Sequence, residues 1–274
     1  MLRRRAGKHS RSLTVTIVVL VAVSAAGAGS AAAGGDRAGV TTRVSVSSAE
    51  AQGNQGSGGA SVPAISPNGR YVAFTATASN LVPGDTNDTF DVFVRDRAAG
   101  TTRRVSVSSN EAQANSYSEQ EPAFSADGRY VTFTSDSANL VPGDTNSNPD
   151  VFVRDRAAGT TRRVSVSSNE TQGNSLSSGQ GISAGGGYVA FTSLASNLVR
   201  GDTNGSLDVF VRDLRAGTTR QVSVSSNGAQ GDGISAGWAI SADGRQVAFY
   251  SEASNLVPAD TNGFPDVFVR VLTR

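Results

Sequence analysis

The pentapeptide Asp-Val-Phe-Val-Arg occurs four times in this chain of 274 residues, at positions 91–95, 150–154, 208–212 and 266–270. Successive copies are 59, 58 and 58 residues apart. Two further segments recur with the same period: a Tyr-Val-Ala-Phe-Thr type starting at 71, 130, 188 and 246, and Val-Ser-Val-Ser-Ser starting at 44, 105, 164 and 222. A fixed period of this kind is typical of solenoids, propellers and other arrays of one supersecondary unit. The chain is therefore four copies of one unit.

Each copy predicts four short strands and no helix. The first strand lies around residues 64–66 and its equivalents, the second is the Tyr-Val-Ala-Phe-Thr type, the third is Asp-Val-Phe-Val-Arg and the fourth is Val-Ser-Val-Ser. In the third strand Val92 and Val94 face one side and Phe93 the other, so both faces are apolar, whereas Val44 and Val46 share a single face. Two-sided strands lie between stacked sheets and one-sided strands lie at a rim. The pattern predicts an all-β fold of propeller blades.

The order of the strands at the two ends predicts how the ring closes. Residues 41–48 form a fourth-type strand that precedes the first complete copy, and residues 266–274 end the last copy at its third strand. We therefore expect a β-propeller with four four-stranded blades of about 58 residues, in which the N-terminal strand completes the last blade. Closure of this type removes exposed sheet edges.

The repeated motif resembles a known family. Units of the form S-A-D-G-R-Y-V-x-F-T-S, D-V-F-V-R-D-R and T-T-R-R-V-S-V-S are similar to the WD40-like PD40 repeats of TolB-type β-propellers over nearly all of residues 41–274. Asp127-Gly128 and Asp243-Gly244 match the Asp-Gly turn of the family, while the other two copies have Asn68-Gly69 and Gly185-Gly186. The resemblance implies a propeller fold. It covers the propeller part only, because the α/β domain of TolB has no counterpart here, so a Tol-system role does not carry over.

The N-terminal residues have the composition of a secretion signal. Basic residues from Arg3 to Arg11 precede an apolar stretch at 13–23, and Ala31-Ala32-Ala33 forms a cleavage site of small residues. We predict a signal peptide at 1–33, a short linker at 34–40 and the propeller at 41–274. The mature protein is then secreted or extracytoplasmic in a bacterium, with no membrane contact after cleavage. An uncleaved membrane anchor is the alternative, since the uncharged stretch approaches the length that spans a bilayer.

The composition of the body excludes several functions. The only lysine, Lys8, and the only histidine, His9, lie in the leader, and the chain has no cysteine. Catalytic triads that use histidine, cysteine nucleophiles, Schiff-base lysines and His/Cys zinc sites are therefore excluded from residues 34–274. These residues have 19 arginines and 23 acidic residues, a net charge of −4, which argues against binding to nucleic acid. We predict that the protein is not an enzyme and has no catalytic residues.

An Asp-x-Asn-x-x-x-Asp loop lies between the second and third strands of each copy. Its oxygen ligands resemble those of calcium loops, but the glycine of an EF-hand is absent, and Asp96 lies a strand of roughly 16 Å beyond Asp91. We favour Asx turns without a cofactor, and Ca²⁺ is the alternative. The candidate ligands are Asp85, Asn87, Asp91, Asp144, Asn146, Asn148, Asp150, Asp202, Asn204, Asp208, Asp260, Asn262 and Asp266.

Taken together, the sequence predicts a secreted, non-catalytic β-propeller that acts as a scaffold and binds a protein or another ligand of the cell envelope. The chain is expected to be a monomer or a homodimer, because two chains can also pair into a larger ring. Two alternatives stay open. One is a calcium-stabilised carbohydrate- or surface-binding protein, and the other is a hydrolase or lyase that uses Asp and Glu.

Overall fold

The computed structural model describes residues 39–58 and 61–273. It divides the chain into a first unit that ends at Val40 and a second unit, Thr41–Arg274, which contains all of the β-strands described below. The predicted signal peptide (1–33) and most of the predicted linker (34–40) lie outside the described residues. None of the described residues is helical, and so no helix among them is long and apolar enough to cross a membrane.

The second unit consists of short β-strands, as the alternation of apolar residues predicts. Fifteen strands are described: β1 Ala64–Ile65, β2 Tyr71–Ala76, β3 Asp91–Asp96, β4 Thr101–Arg104, β5 Ser118–Phe124, β6 Tyr130–Ser135, β7 Asp150–Asp155, β8 Thr160–Arg163, β9 Ser177–Ile182, β10 Tyr188–Ser193, β11 Asp208–Asp213, β12 Thr218–Gln221, β13 Ser235–Ile240, β14 Gln246–Ser251 and β15 Asp266–Val271.

The strands form four antiparallel sheets in chain order, which we call blades 1 to 4. Blades 1, 2 and 3 have four strands each (β1–β4, β5–β8 and β9–β12), and blade 4 has three (β13–β15) among the described residues. The second and third strands of every blade pair in the same register. In blade 1 Phe74 lies opposite Phe93 and their rings stack with centroids 5.8 Å apart. Each of the four predicted copies thus forms one sheet around the same pair of central strands.

The fourth strand differs from the prediction. It is the Thr-Thr-Arg-Arg segment of β4, which pairs with β3 so that Asp96 lies opposite Thr101, and it is not Val-Ser-Val-Ser. A tight turn with Gly100 at φ 64° reverses the chain directly after β3, so the next residues are already in position to pair. Val105 and Val107 follow in a turn-rich segment and are buried, at 3% and 4% exposure.

Each Val-Ser-Val-Ser segment crosses to the blade that follows it. After blade 1, the carbonyl of Val107 accepts a hydrogen bond from Thr161 Oγ1 of blade 2 at 2.5 Å, and the carbonyl of Ser108 accepts one from Arg154 at 3.0 Å. We call these crossing stretches, 44–53, 105–114, 164–173 and 222–231, the connecting segments. Six of their eight valines are buried, namely Val46, Val105, Val107, Val164, Val166 and Val222. Burial between blades explains why these valines alternate with serine without forming a strand.

Closure by the N-terminal strand is not confirmed. The first connecting segment lies on blade 1, where the amide of Thr102 donates to Ser48 Oγ at 3.0 Å and Thr102 Oγ1 donates to the carbonyl of Val46 at 2.5 Å. Among the described residues no strand pairs with the free edge of β15. The N-terminal segment behaves as the other connecting segments do, because it carries the same residues and packs on the blade that follows it.

Consecutive blades share their hydrophobic cores. Val92 and Val94 of blade 1 pack in one cluster with Val131, Phe133 and Phe152 of blade 2. Equivalent clusters join blades 2 and 3, through Val151, Val153, Val189, Phe191 and Phe210, and blades 3 and 4, through Val209, Val211, Val247 and Phe249. Burial of one such side chain contributes about 1.5–3 kcal/mol, so the blades stabilise one another by stacking.

The glycine turns between the first and second strands also contribute to this stacking. Gly128 of blade 2 has φ 70°, and a Cβ atom placed on it would lie 2.3 Å from Cδ2 of Tyr71 in blade 1. Only glycine permits both the left-handed backbone and this close approach. Equivalent contacts join Gly186 to Tyr130 and Gly244 to Tyr188. The turn thus serves the junction between blades as well as the hairpin.

Candidate functional site

The Asp-x-Asn loop of blade 1 closes around an arginine. Arg104, on β4, places Nη1 at 3.2 Å from Asp85 Oδ1 and 3.1 Å from Asp91 Oδ2. Asn87 Nδ2 donates to Asp91 Oδ2 at 3.0 Å, and Ser106 Oγ donates to Asp91 Oδ1 at 2.5 Å. Both carboxylates therefore face a guanidinium within the loop, and a calcium ion there would have to displace it.

Blade 2 repeats the arrangement. Arg163 Nη1 lies 3.4 Å from Asp144 Oδ1 and 2.9 Å from Asp150 Oδ2. The side chain of Gln172, on the connecting segment, donates to Asp144 Oδ1 at 2.7 Å and to Asp150 Oδ2 at 3.1 Å. The predicted ligands are brought together, and the groups that fill the space between them are an arginine and an amide.

Blade 3 lacks the arginine. Gln221 stands at the position of Arg104 and Arg163, and its Nε2 is buried without a hydrogen-bond partner among the described residues. Gln230 Nε2 still donates to Asp202 Oδ1 at 2.8 Å and to Asp208 Oδ2 at 3.3 Å. The two carboxylates are 9% and 0% exposed as residues. Of the three complete loops, this one alone holds two buried carboxylates without a guanidinium between them.

Blade 4 has an open version of the loop. Asn262 Nδ2 donates to Asp266 Oδ2 at 3.0 Å, but Asp266 is only partly buried, and a fourth strand that would bring an arginine is not described. Asp260 lies at the same loop position as Asp85 and is also partly buried. The fourth candidate set is therefore more exposed to solvent than the first three.

The asparagines of the loops form Asx turns in which the side-chain oxygen accepts the backbone amide two residues ahead. The distances are 2.9 Å from the amide of Asn148 to Asn146 Oδ1, 2.9 Å from Ser206 to Asn204, 2.8 Å from Phe264 to Asn262 and 3.5 Å from Thr89 to Asn87. These bonds fix the loop before the third strand begins.

Burial affects the acidity of the loop carboxylates. Desolvation raises the pKa of Asp91, and hydrogen bonds from Ser106 and the charge of Arg104 oppose that shift. Burial likewise raises the pKa of Asp85, Asp144 and Asp202, with arginine opposing it at Asp85 and Asp144 and only Gln230 opposing it at Asp202. In the described part of the chain, no three acidic, histidine or cysteine side chains group closely enough to hold a metal ion between them.

A second feature was not predicted from the sequence. The residue before the first strand and the residue after the second strand lie side by side at one edge of blades 2, 3 and 4. Backbone hydrogen bonds join them: the amide of Asp136 to the carbonyl of Tyr117 at 2.9 Å, Leu194 to Leu176 at 3.0 Å and Glu252 to Ile234 at 2.8 Å. We call the side chains of Tyr117, Asp136, Leu194, Ile234 and Glu252 the variable rim.

The side chains of the variable rim are exposed to solvent, and their residue types differ from one copy to the next. Tyr117 is 52% exposed, Ile234 41% and Leu194 38%, and Asp136 and Glu252 are exposed. Blade 1 has only Gly56 and Thr77 at this edge. The third strands keep one sequence while these positions change from blade to blade. Alignment of the four copies on Asp-Val-Phe-Val-Arg is the signal that finds them, because the substitutions concentrate around the first strand.

The described residues define an all-β protein of four antiparallel sheets in chain order. No family model matches the sequence, and no curated protein matches it either.

Similar solved structures include TolB from Acinetobacter baumannii, with 20% identity, a TM-score of 0.45, and coverage of 80% of this chain and 44% of that one. The putative TolB from Agrobacterium tumefaciens has 15% identity, a TM-score of 0.44 and coverage of 77% and 73%. The propeller domain of the trilobed protease from Pyrococcus furiosus has 11% identity, a TM-score of 0.43 and coverage of 76% and 53%. The chain thus spans less than half the length of the Acinetobacter protein. The neighbours are TolB-like and trilobed-protease propeller domains, consistent with the resemblance of the repeats.

Proposed function

We propose that this protein is a non-catalytic binding module of the bacterial cell envelope or exterior, and that it holds a protein ligand at the variable rim. The observation that carries the proposal is the exposure of Tyr117, Leu194 and Ile234 at one edge of three successive blades. Tyr117 and Ile234 occupy one position of the repeat and Leu194 occupies the position paired with it. A scaffold that is otherwise repeated has no packing reason to expose large side chains at these two positions.

The chemistry of the rim suits a protein surface. Aromatic residues supply large contact area and are enriched among the residues that dominate binding energy. Asp136 and Glu252 lie beside the apolar residues and add negative charge, which favours a partner with basic groups around an apolar centre. This position is acidic in blades 2 and 4 but is Thr77 in blade 1 and Leu194 in blade 3, so the rim is asymmetric and can select one orientation of a ligand.

The composition supports a binding role over a catalytic one. Residues 34–274 have no histidine, cysteine or lysine, which leaves few groups for general acid–base or nucleophilic chemistry near neutral pH. The leader-like residues 1–33 support a place outside the cytoplasm. The signal pattern and the rim together favour a partner in the envelope.

Comparative capture of envelope proteins tests this proposal. The chain, a Tyr117→Ser/Ile234→Ser variant and an Arg103→Ser control are immobilised and exposed to solubilised envelope protein from the same organism. Arg103 is exposed on β4, away from the rim. We expect one component to be retained by the chain and the control and reduced at least about tenfold by the rim variant, since each lost anchor costs about 1–2 kcal/mol or more. Equal retention by all three would contradict the rim, and turnover of glycans or esters would contradict a non-catalytic role.

Calcium binding is a second candidate, favoured by one observation. In blade 3 the buried Asp202 and Asp208 lack the guanidinium that their counterparts face, since Gln221 has replaced it. Oxygen ligands of this kind suit Ca²⁺. Calorimetric titration should show one weak site per chain that disappears in a Gln221→Arg variant. The absence of heat, together with no change of melting temperature in chelator, would remove this candidate.

A further inference from the structure

Blade 4 exposes an apolar sheet face that the other blades bury. Val267, Val269 and Val271, on alternate positions of β15, are 79%, 61% and 60% exposed. We call these three side chains the trailing face. The counterparts of the first two are at most 4% exposed in the other blades, namely Val92, Val94, Val151, Val153, Val209 and Val211. Contiguous apolar surface of this kind marks an interaction site.

The last copy is also more apolar on this face than the others. Where blades 1, 2 and 3 have Asp96, Asp155 and Asp213, blade 4 has Val271. A face that met only water would gain from the aspartate. The replacement by valine in the one blade that exposes this position therefore indicates a covering partner.

Three junctions within the chain show which residues cover the equivalent valine face of a blade. The valines of blade 1 are covered by Val131, Phe133 and Phe152 of the next blade, and the same residue types cover the valines of blades 2 and 3. The matching residues at the other end of the array are Val72, Phe74 and Phe93 of blade 1. With Ala76, Ala78 and Leu81, Phe74 and Phe93 form a cluster that includes no residue of another blade.

Blade 1 leaves the border of its half of a junction open, while Val72, Phe74 and Phe93 at its centre are 9%, 4% and 0% exposed. Ile65 is 61% exposed, although its counterparts Phe124, Ile182 and Ile240 are partly buried against the clusters shared with the preceding blade. Gly69 has only Arg97 Nη1 within 4.0 Å of a Cβ position, whereas Gly128 contacts a tyrosine ring. The two ends of one array thus carry the two complementary halves of one more junction.

The backbone at the inner turns is compatible with the same junction. The amide of Ala126 donates to the carbonyl of Ala184 at 2.9 Å, and the amide of Ala184 donates to the carbonyl of Ala242 at 3.0 Å. This series of hydrogen bonds between successive blades ends at Ala242, whose amide is available to donate to a further blade. At the equivalent place in blade 1, Pro67 has no amide hydrogen and can only accept. A bond from Ala242 to Pro67 of another copy would continue the series.

We propose that the trailing face of one chain docks on blade 1 of a second copy, head to tail, and that two copies close into a ring of eight blades. A heterologous contact must either close or grow into a filament, and eight blades are within the usual size of propellers. The new junction differs from those inside the chain at one place. Gln246 replaces the tyrosine that would face Gly69, so the contact between chains is the weaker one and the pair dissociates on dilution.

The mass of the full chain in solution tests the pairing. Light scattering should give twice the mass of one chain, falling to one chain on dilution. Val269→Asp should give the mass of one chain with unchanged circular dichroism, whereas the control Leu194→Asp, on the variable rim, should still pair. A single-chain mass for the unaltered protein at every concentration, or pairing that survives Val269→Asp, would overturn the proposal.

Crosslinking tests the orientation, because the chain has no cysteine of its own. Chains with Val269→Cys and chains with Ile65→Cys are treated with a bismaleimide, separately and mixed. We expect a two-chain product from the mixture and none from either variant alone. A two-chain product from Val269→Cys alone would mean tail-to-tail pairing. A product within one chain that has both cysteines, with none between chains, would mean that the chain closes on itself. Either result would overturn head-to-tail docking.

Discussion

The guanidinium of Arg95, buried in the third strand of blade 1, forms an ion pair with the carboxylate of Glu50 on the first connecting segment. Arg95 Nη1 also donates to the carbonyls of Ser47 at 3.1 Å and Gly100 at 3.0 Å and to Thr102 Oγ1 at 3.2 Å. Arg154 with Glu111 and Arg212 with Glu170 repeat the ion pair in the next two blades. One buried arginine in each of these three blades thus ties the connecting segment to the sheet.

The two partners of this ion pair should contribute unequally to stability. Glu50 has φ 61°, a left-handed backbone that disfavours a non-glycine residue, and its side chain is 66% exposed. Glu50→Gly introduces the residue that the fourth copy has at Gly228. It should shift the free energy of unfolding by no more than about 0.5 kcal/mol, since relief of strain offsets loss of a pair whose carboxylate is exposed and screened by solvent.

Arg95→Met should cost more, about 1–3 kcal/mol, because it leaves the buried carbonyls and the threonine hydroxyl without their donor. Urea denaturation followed by circular dichroism measures both variants. If Glu50→Gly is as costly as Arg95→Met, the ion pair itself, and not the hydrogen bonds of the arginine, ties the segment to the blade.

A change in blade 3 should stabilise the protein. Gln221→Arg would restore the residue that blades 1 and 2 have between their loop carboxylates, and it would remove a buried amide nitrogen that has no partner among the described residues. We expect a gain of about 1–3 kcal/mol in the free energy of unfolding, the range of hydrogen bonds to charged groups. Arg163→Gln in blade 2 is the matched change in the opposite direction. A loss of stability on Gln221→Arg would show that the third loop differs from the first two in backbone as well as in sequence.

The ion pair between Arg70 and Asp96 should make the stability of blade 1 depend on pH. Arg70 Nη2 lies 2.8 Å from Asp96 Oδ2, and the hydrogen bonds from this guanidinium lower the pKa of Asp96 to about 2. An unfolded aspartate titrates near pH 3.9. The pair therefore stabilises the fold above about pH 4, and this contribution is lost as the pH falls through about 2.

Asp96→Asn should accordingly lose less stability than the unaltered chain between pH 4 and pH 2, as measured by thermal melting at a series of pH values. Asp213→Asn is the control. Asp213 caps the same turn, through the amides of Arg215 and Ala216 at 2.9 Å, but Gly187 stands where Arg70 does in blade 1. A slope for Asp96→Asn that equals that of the unaltered chain would mean that the ion pair does not form in solution.

The second and third strands of each copy could be predicted from the pattern of apolar residues. The second and third strands have apolar residues on both faces, and the structure has them where expected. The fourth strand was missed because Thr101–Arg104 is short and polar, and its pairing depends on a turn. Val105 and Val107 misled the prediction, since burial between blades imposes the same alternation as a strand does.

The loop site could be predicted only in part. The Asp and Asn residues of the loops were located by spacing, but Arg104 belongs to the missed strand, so the cation that faces them was not foreseen. The trailing face could not be predicted either, because its valines also occur in the buried copies. Exposure there depends on which blade has a neighbour, and that is a property of the assembled array.

The central claim is that consecutive copies of the repeat stack on one another as neighbouring blades. The free energies of unfolding of two glycine variants test it most directly. Gly69 and Gly128 have the same backbone, with φ 69° and 70°, but a Cβ on Gly128 would lie 2.3 Å from the ring of Tyr71 and a Cβ on Gly69 would meet only an arginine nitrogen at 4.0 Å. Gly69→Ala should cost about 1–2 kcal/mol of backbone strain. Gly128→Ala should cost about 1–3 kcal/mol more, for the forced contact, and this excess should vanish when Tyr71→Ala is added. Equal free energies of unfolding for the two single variants would contradict the stacking of blade 2 on blade 1.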